Sequence, residues 1–171
     1  SLLMRGCIDT IFNCYPLVWA FHGSRKLNAR INRIQERGLR IVYKDNESTF
    51  DELLAKDGSV TVHQRHLRAI VIEKKKKKNG ISPDFMKTIF SSRNIPYTFR
   101  SNTEFSACSV RTVCHGTETL KFMASSTWKL LPSHITSIKT LSSFKHSVKQ
   151  WTPQGCTCRL CKTYIANVGF I

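Results

Sequence analysis

The chain has 171 residues, of which 27 are Lys or Arg and 11 are Asp or Glu, so its formal net charge is +16. Hydrophobic residues make up 41% and aromatic residues 10%, enough to build a core, which argues against wholesale disorder. No apolar run approaches the roughly 20 residues that span a bilayer. Because excess positive charge repels itself in a compact state, this composition predicts a polyanionic partner, with nucleic acid favoured over an acidic membrane surface.

Helical periodicity and capping signals predict a mainly α fold with one small β-hairpin and a cysteine-rich C-terminal tail. The predicted helices cover about residues 2–22, 25–44, 50–56, 61–78, 83–90, 125–131 and 140–151. Alternation from Val110 to Phe122, around His115-Gly116, predicts the hairpin. We therefore predict three segments, which are a helical region (1–90), an extension with the hairpin and amphipathic helices (91–152), and the tail (153–171).

Capping signals mark the ends of the third and fourth predicted helices. Ser48 and Thr49 each stand three residues before an acid, which gives two overlapping capping-box patterns. Gly58 and Gly80 follow the C-terminal ends, where a left-handed glycine commonly closes a helix. Capping also explains the adjacent acids Asp51-Glu52 better than two-metal chemistry does. With no Gly-rich phosphate loop and no G-x-S-x-G motif in the sequence, we predict no active site.

The second predicted helix carries cations along one edge. At about 100° per residue, a stripe roughly 80° wide contains Lys26, Arg30, Arg33, Arg37, Arg40 and Lys44. An apolar stripe about a quarter turn away contains Leu27, Ile31, Ile34, Gly38, Ile41 and Val42. Only Glu36 offers an opposite charge within the helix, so internal ion pairs leave most of the stripe uncompensated. The pattern predicts contacts with nucleic-acid phosphates, and the alternative is a solvated helix face.

Two further basic segments lie on the fourth predicted helix. Arg65 and Arg68 stand beside His63 and His66, where no carboxylate or cysteine completes a catalytic set, so we predict phosphate contact or packing. Lys74–Lys78 is a run of five lysines that wraps around the helix and forms no single face. We interpret this run as a solvated helix end, where cations suit the helix dipole, in preference to a phosphate-binding or nuclear-import patch.

Three of the seven cysteines form a C-x-C-x2-C cluster near the C-terminus. Cys156, Cys158 and Cys161 offer three thiolates to zinc. Candidates for the fourth ligand are Cys108, Cys114, His115 and His146, and the alternative is three free thiols. The N-terminal residues lack a signal-peptide pattern, so we expect reduced thiols in an intracellular protein, nuclear or cytoplasmic. The chain opens on Ser1 in the middle of a helical pattern, so we also expect a piece of a longer protein.

The segment from Tyr15 to Tyr43, YPLVWAFHGSRKLNARINRIQERGLRIVY, resembles the region just after the palm in reverse transcriptases of non-LTR retrotransposons, the jockey-like group of LINE-type elements. The resemblance continues in order along essentially the whole chain. The further matching segments are TFDELLAKDGSVTVHQRHL (49–67), NGISPDFMKTIF (79–90), YTFRSN (97–102), GTETLKFMASSTWKLLP (116–132), LSSFKHSVKQW (141–151) and the terminal CTCRLCKTYIANVGFI (156–171).

This resemblance implies the thumb and C-terminal extension of an RNA-directed DNA polymerase. Such a thumb is a helical bundle lying against the primer–template, so the cationic stripe would hold an RNA–DNA hybrid, DNA or RNA through its backbone. The cysteine segment resembles a zinc-knuckle-like end with a nucleic-acid-binding role. Catalytic magnesium would belong to the upstream palm, whose aromatic-x-Asp-Asp motif is missing from these residues, so we expect no enzymatic activity from this piece alone.

Two departures from the family pattern stand out. Lys74–Lys78 replaces a segment in which relatives interleave Met, Tyr or Val among fewer lysines, and this predicts a loss of core-facing positions. Gly38 stands where relatives tend to have Ala, at a cost of about 1 kcal/mol in helix propensity. Both changes are compatible with a decaying genomic copy. The alternative from a different class is a domesticated, stand-alone RNA- or DNA-binding or interaction module without enzymatic activity.

Overall fold

The computed structural model describes residues 25–90 and 119–153, together with Gly6 and Thr10. Helices hold 72% of these residues and none is in a strand, which confirms the mainly α prediction for this part of the chain. The helices are α1 (Arg25–Tyr43), α2 (Phe50–Asp57), α3 (Val62–Lys78), α4 (Asp84–Ile89), α5 (Leu120–Lys129), α6 (Ser133–Thr136) and α7 (Leu141–Gln150).

The structure bears on one end of the predicted β-hairpin. Residues 120–122 are helical and open α5, so the prediction of strand is wrong for them. The hydroxyl of Thr119 accepts a hydrogen bond from the Phe122 N–H at 3.4 Å, and this N-cap starts the helix where alternation predicted a strand. The rest of the hairpin lies outside the described residues, as do the cysteine tail and most of the predicted helix over 2–22.

The chain divides into two compact units, Ser1–His66 and Leu67–Ile171, with the boundary inside α3. The three segments described above stay a prediction from the sequence. In the first unit, Leu39 of α1 packs with Leu53 and Leu54 of α2, so one face of each helix is covered by the other. The second unit has its own apolar cluster, built by α3, α6, α7 and the segments beside them, and Phe144 and Val148 are completely buried in it.

Capping fixes where α2 and α3 begin. Of the two overlapping capping boxes, the one that forms joins Thr49 and Glu52, with the Thr49 N–H donating to Glu52 Oε2 at 2.8 Å. Thr61 and Gln64 form a second reciprocal pair at the start of α3. Gly58 and Gly80 follow α2 and α3 with φ angles of 63° and 72°, so both predicted glycine stops adopt the left-handed conformation that favours glycine.

The loop between α1 and α2 is organised by the carboxylate of Asp45. It accepts hydrogen bonds from the backbone N–H of Ser48 at 3.0 Å, from the Ser48 hydroxyl at 2.7 Å and from the Lys56 ammonium at 3.1 Å. These bonds, with the Ser48 backbone bond the largest effect, hold the pKa of Asp45 well below its ordinary value. Hydrogen bonds to a charged carboxylate favour the ionised form, so the loop is strongest when Asp45 is charged.

We expect Asp45→Asn to lower the stability of the folded chain at neutral pH, because the amide cannot replace both charge-assisted contacts. The pKa of Asp45 is lower in the folded than in the unfolded state. Its contribution is therefore complete above the unfolded value of about 3.9 and is lost as pH falls from there through the folded value. Thermal unfolding followed by circular dichroism across this range should show the two melting temperatures converging at acidic pH.

The exposed Asp51 in the first turn of α2 supplies the control. Asp51→Asn removes the same charge without touching the Asp45 loop. If the two variants behave alike at every pH, the Asp45 contacts do not contribute to stability as argued.

Lys74 and Lys75 are core residues of the second unit, with exposed fractions of 1% and 3%. The Lys74 ammonium donates to the Ala124 carbonyl at 3.0 Å and lies 5.2 Å from the centre of the Trp128 ring. The Lys75 ammonium donates to the Ile138 carbonyl and lies 5.1 Å from the Phe144 ring centre. Long methylene stems let lysine fill apolar space while the charged end reaches a polar group. The predicted solvated helix end is therefore wrong for these two residues.

Helical spacing explains why these two lysines, of the run of five, are buried. The buried face of α3 contains Leu67, Ile70 and Val71, and residues 74 and 75 continue it by one turn at the i+7 and i+8 positions. Lys78 is exposed at the helix end, while Lys76 pairs with Glu73. The lysines thus occupy the core-facing positions that the departure from the family pattern had suggested were lost.

Truncation of Lys74 tests this packing. We expect Lys74→Ala to destabilise the second unit by about 2 kcal/mol or more, because it leaves a cavity among buried side chains. Lys78→Ala, four residues further along the same run, should change stability by less than about 0.5 kcal/mol. Urea unfolding followed by tryptophan fluorescence measures both, and equal effects of the two substitutions would contradict the burial of Lys74.

Candidate nucleic-acid interface

Three arginines of α1 form an exposed cationic row. Arg30, Arg33 and Arg37 are all exposed and stand three and four residues apart along the helix. Among the residues that the structure describes, none of the three has a carboxylate within ion-pair distance. We call these residues the arginine row. Because these guanidinium groups are exposed and have no ion pair within residues 25–90 and 119–153, they are available to an external anion.

The face of α1 that is buried differs from the face that the apolar stripe predicted. Leu39 and Gln35 are buried, and the Gln35 amide donates to the Val60 carbonyl at 3.0 Å. By contrast, the predicted apolar stripe includes Leu27, Ile34 and Ile41, with exposed fractions of 44%, 49% and 78%. At 100° per residue, Gln35 and Leu39 therefore lie on average roughly 90° from the centre of that stripe. As a result, a row of exposed apolar residues borders the arginine row.

The other predicted members of the cationic stripe differ from the arginine row. Arg40 is half-buried and donates to Glu36 Oε1 from Nη2 at 2.8 Å and from Nε at 3.2 Å. It also donates to the Asp45 carbonyl at 3.4 Å, so its guanidinium is engaged within the first unit. Lys44 is exposed, just beyond the end of α1, with a φ of 51°. Lys26 belongs to α1, but its side chain is not among those described.

The basic residues predicted on α3 are less open than the arginine row. Arg65 is half-buried, and His63 and His66 beside it are buried. Arg68 donates to the Trp151 carbonyl from both Nε, at 2.9 Å, and Nη2, at 2.7 Å. Burial also lowers the pKa of Arg68. This guanidinium ties α3 to the end of α7, and we leave Arg68 out of the interface that we propose.

A second cationic feature, which sequence inspection missed, is a groove of about 820 Å³ in the second unit. Its lining combines residues of α3 with residues from α5 to the loop before α7 and includes Lys74, Lys75, Lys78, Lys129 and Lys139. These lysines line one groove because α3 packs into the apolar cluster of the second unit, which places its lysine run beside Lys129 and Lys139. No local sequence pattern joins positions 74–78 to positions 129 and 139, so the groove was not predictable from spacing.

No metal site is present in the described part of the chain. Groups of three or more His, Cys, Asp or Glu side chains that could hold an ion do not occur in residues 25–90 and 119–153. Cys156, Cys158 and Cys161 lie outside these ranges, so zinc binding stays a prediction from the sequence. Within the same ranges, no helix is both long and apolar enough to cross a membrane.

Comparison with known proteins leaves the chain without a match. No protein-family model, curated protein or solved structure matches it.

Proposed function

We propose that this chain is the thumb and C-terminal region of a non-LTR retrotransposon reverse transcriptase, in which the arginine row holds a primer–template or target duplex by its phosphates. The observation that carries the proposal is the exposure of Arg30, Arg33 and Arg37 without carboxylate partners in the described part of the chain. Its second support is the resemblance to that family, which runs in order through almost the whole sequence.

The spacing of the row suits a phosphate backbone. At 1.5 Å per residue, its members are separated by about 4.5 and 6 Å along the helix axis. This spacing is comparable with the rise of about 3.4 Å per phosphate along one DNA strand, and arginine side chains are long enough to absorb the difference. Guanidinium groups bind phosphates through two parallel hydrogen bonds. Such contacts position a duplex but do not read its sequence, as a polymerase that copies many templates requires.

The exposed apolar row on α1 fits the same proposal. Leu27, Ile34 and Ile41 recur every seven residues, so they follow one line along the helix beside the arginines. Exposed apolar surface of this kind commonly marks a contact with another protein surface. We assign that contact to the upstream palm and fingers of the polymerase. In this arrangement α1 has one packed face, one face toward the palm and one toward the duplex.

Chemistry is assigned to another part of the polymerase. Nucleotidyl transfer with two metal ions needs closely placed carboxylates, and no Asp-Asp pair occurs in these 171 residues. We therefore propose that the chain contributes binding and positioning, and that catalytic magnesium is held by the palm. A zinc site at the terminal cysteines would add a second nucleic-acid contact, as the resemblance implies.

Charge removal from the arginine row tests the proposed duplex contact. We expect Arg30→Gln, Arg33→Gln and Arg37→Gln together to weaken binding to a DNA duplex of arbitrary sequence. The slope of log K against log salt should become shallower by about 2.7, because three phosphate contacts are lost at about 0.9 each. Fluorescence anisotropy titrations at several salt concentrations, repeated with an RNA–DNA hybrid, measure both quantities.

A matched triple variant separates a specific contact from general attraction. Lys121, Lys145 and Lys149 are exposed residues of the second unit, and changing all three to Gln removes the same charge. We expect this control to retain most of the duplex affinity. Equal losses from both triple variants would show diffuse attraction by the whole chain and would contradict the proposed interface.

The assignment to a polymerase is tested by the genomic DNA 5′ of the codon for Ser1. The proposal predicts an open frame, continuous with this chain, that encodes an aromatic-x-Asp-Asp motif. A start codon close upstream, without such a palm, would favour the stand-alone binding module instead.

A further inference from the structure

The second unit concentrates positive charge around its groove. Residues 67–90 and 119–153 contain twelve Lys or Arg residues and two acids, Glu73 and Asp84. Glu73 is paired with Lys76. Lys129 and Lys139 line the groove and are exposed, and neither has a carboxylate partner among the described residues. Their charges therefore face the groove and solvent, where an anion has access.

The buried lysines at the floor of the groove add to its positive electrostatic potential. Lys74 and Lys75 line it from the buried side, and their ammonium groups are positioned by carbonyl oxygens and aromatic rings. Charges with low-dielectric surroundings act more strongly on nearby ions than charges in open water. The two buried ammonium groups below and the two exposed lysines at the rim together favour an anion that carries more than one negative charge.

The other groups that line the groove narrow the choice of ligand. The hydroxyls of Thr136 and Ser137 donate to the backbone carbonyls of Ser133 and His134. These two hydroxyls are therefore engaged, and the positive charge that the groove offers to an anion is that of its lysines. The Trp128 ring is stacked on Phe144, with ring centres 6.1 Å apart, and the Lys74 ammonium is also close to it. Since this ring is already in contact, stacking with a nucleobase is not the expected mode of binding, and phosphate groups are.

The volume of the groove indicates whether a duplex or a single strand of nucleic acid fits inside it. A volume of about 820 Å³ lies within the range of about 300–1,000 Å³ typical of sites for compact ligands. It accommodates a short stretch of one strand, whereas a duplex would rest on the rim. We propose that this groove binds the phosphates of a single nucleic-acid strand. This site belongs to the second unit and does not depend on the arginine row.

Binding of the full chain to a short fluorescein-labelled oligo(dT) tests the proposal. We expect Lys129→Gln with Lys139→Gln to weaken binding about tenfold, since two charge-assisted contacts are removed. The salt slope should become shallower by about 1.4, at about 0.7 per phosphate of a single strand. Both lysines are exposed, and an unchanged circular dichroism spectrum and melting temperature would show that the fold is retained.

Lys145→Gln with Lys149→Gln provides the matched control, since it removes the same charge from exposed positions on α7 that do not line the groove. We expect less than about a twofold change in oligo(dT) affinity from this pair. If the two pairs cause equal losses, or if the groove pair causes none, the groove is not the site. If ATP or inorganic phosphate displaces oligo(dT) at concentrations similar to those of the oligonucleotide phosphates, the ligand is a free phosphate compound, and the assignment to a strand is overturned.

The arginine-row variant separates this proposal from the proposed function. It should retain its affinity for oligo(dT) while losing affinity for the duplex. If it loses both equally, the two sites are not separate and the groove proposal fails. If duplex binding survives the arginine changes while oligo(dT) binding falls with Lys129 and Lys139, the groove stands and the proposed role of the arginine row fails.

Discussion

Twenty-seven cationic side chains share eleven carboxylates in this chain, so most of its positive charge has to be accommodated without ion pairs. Water is one means of doing so, because exposed ammonium and guanidinium groups stay hydrated. Backbone carbonyls and aromatic rings are another, and they operate inside the protein. Both occur in this structure. A cation that contacts carbonyls or rings inside the protein stabilises the fold, whereas a hydrated cation at the surface remains available to a ligand.

Cations that are bound by carbonyls and aromatic rings inside the protein are clearest in the second unit. Arg68, Lys74 and Lys75 direct their charged ends to the carbonyls of Trp151, Ala124 and Ile138. Neutral acceptors compensate a buried charge only in part, and the two lysines also lie beside aromatic rings, which attract cations. The core of this unit is therefore itself a source of positive potential. The groove between the buried lysines and Lys129 and Lys139 follows from that arrangement.

Exposure to water or to a partner is clearest on α1, where Arg40 is held by Glu36, while the arginine row has no carboxylate partner among the described residues. A single acid in a helix of 19 residues can neutralise one cation, so the others are left for solvent or for a partner. Asp45 shows the opposite case, a carboxylate used entirely to fix a loop. Among the described residues, local ion pairs thus shape the first unit, while the three arginines of the arginine row remain exposed on one edge of α1.

Local sequence patterns predicted helices and their ends well where the determinants are local. The Thr49–Glu52 box and the glycines at 58 and 80 depend on neighbours within a few residues, and each forms as the pattern indicated. The packed face of α1 was predicted less well, because Gln35 is buried through a bond to Val60, a contact between distant residues that hydrophobicity does not signal. For α1, a buried glutamine and exposed isoleucines reversed the usual preference.

The lysine run shows a different limit. Its charge suggested a solvated end, although the spacing of Leu67, Ile70, Val71, Lys74 and Lys75 is that of a continuous buried helix face. Periodicity was the better guide, because lysine supplies four methylene groups before its charge. The groove could not have been predicted in this way, since it depends on tertiary contacts between α3 and residues about fifty or more positions away.

Arginine footprinting shows whether Arg30, Arg33 and Arg37 bind the backbone of a duplex. The full chain would be treated with phenylglyoxal with and without an RNA–DNA hybrid, and the modification of each arginine would be quantified by mass spectrometry. We expect the hybrid to protect Arg30, Arg33 and Arg37, while Arg40 and Arg68, held by bonds within the protein, react slowly in both samples. Equal modification of the three α1 arginines with and without bound hybrid would contradict it.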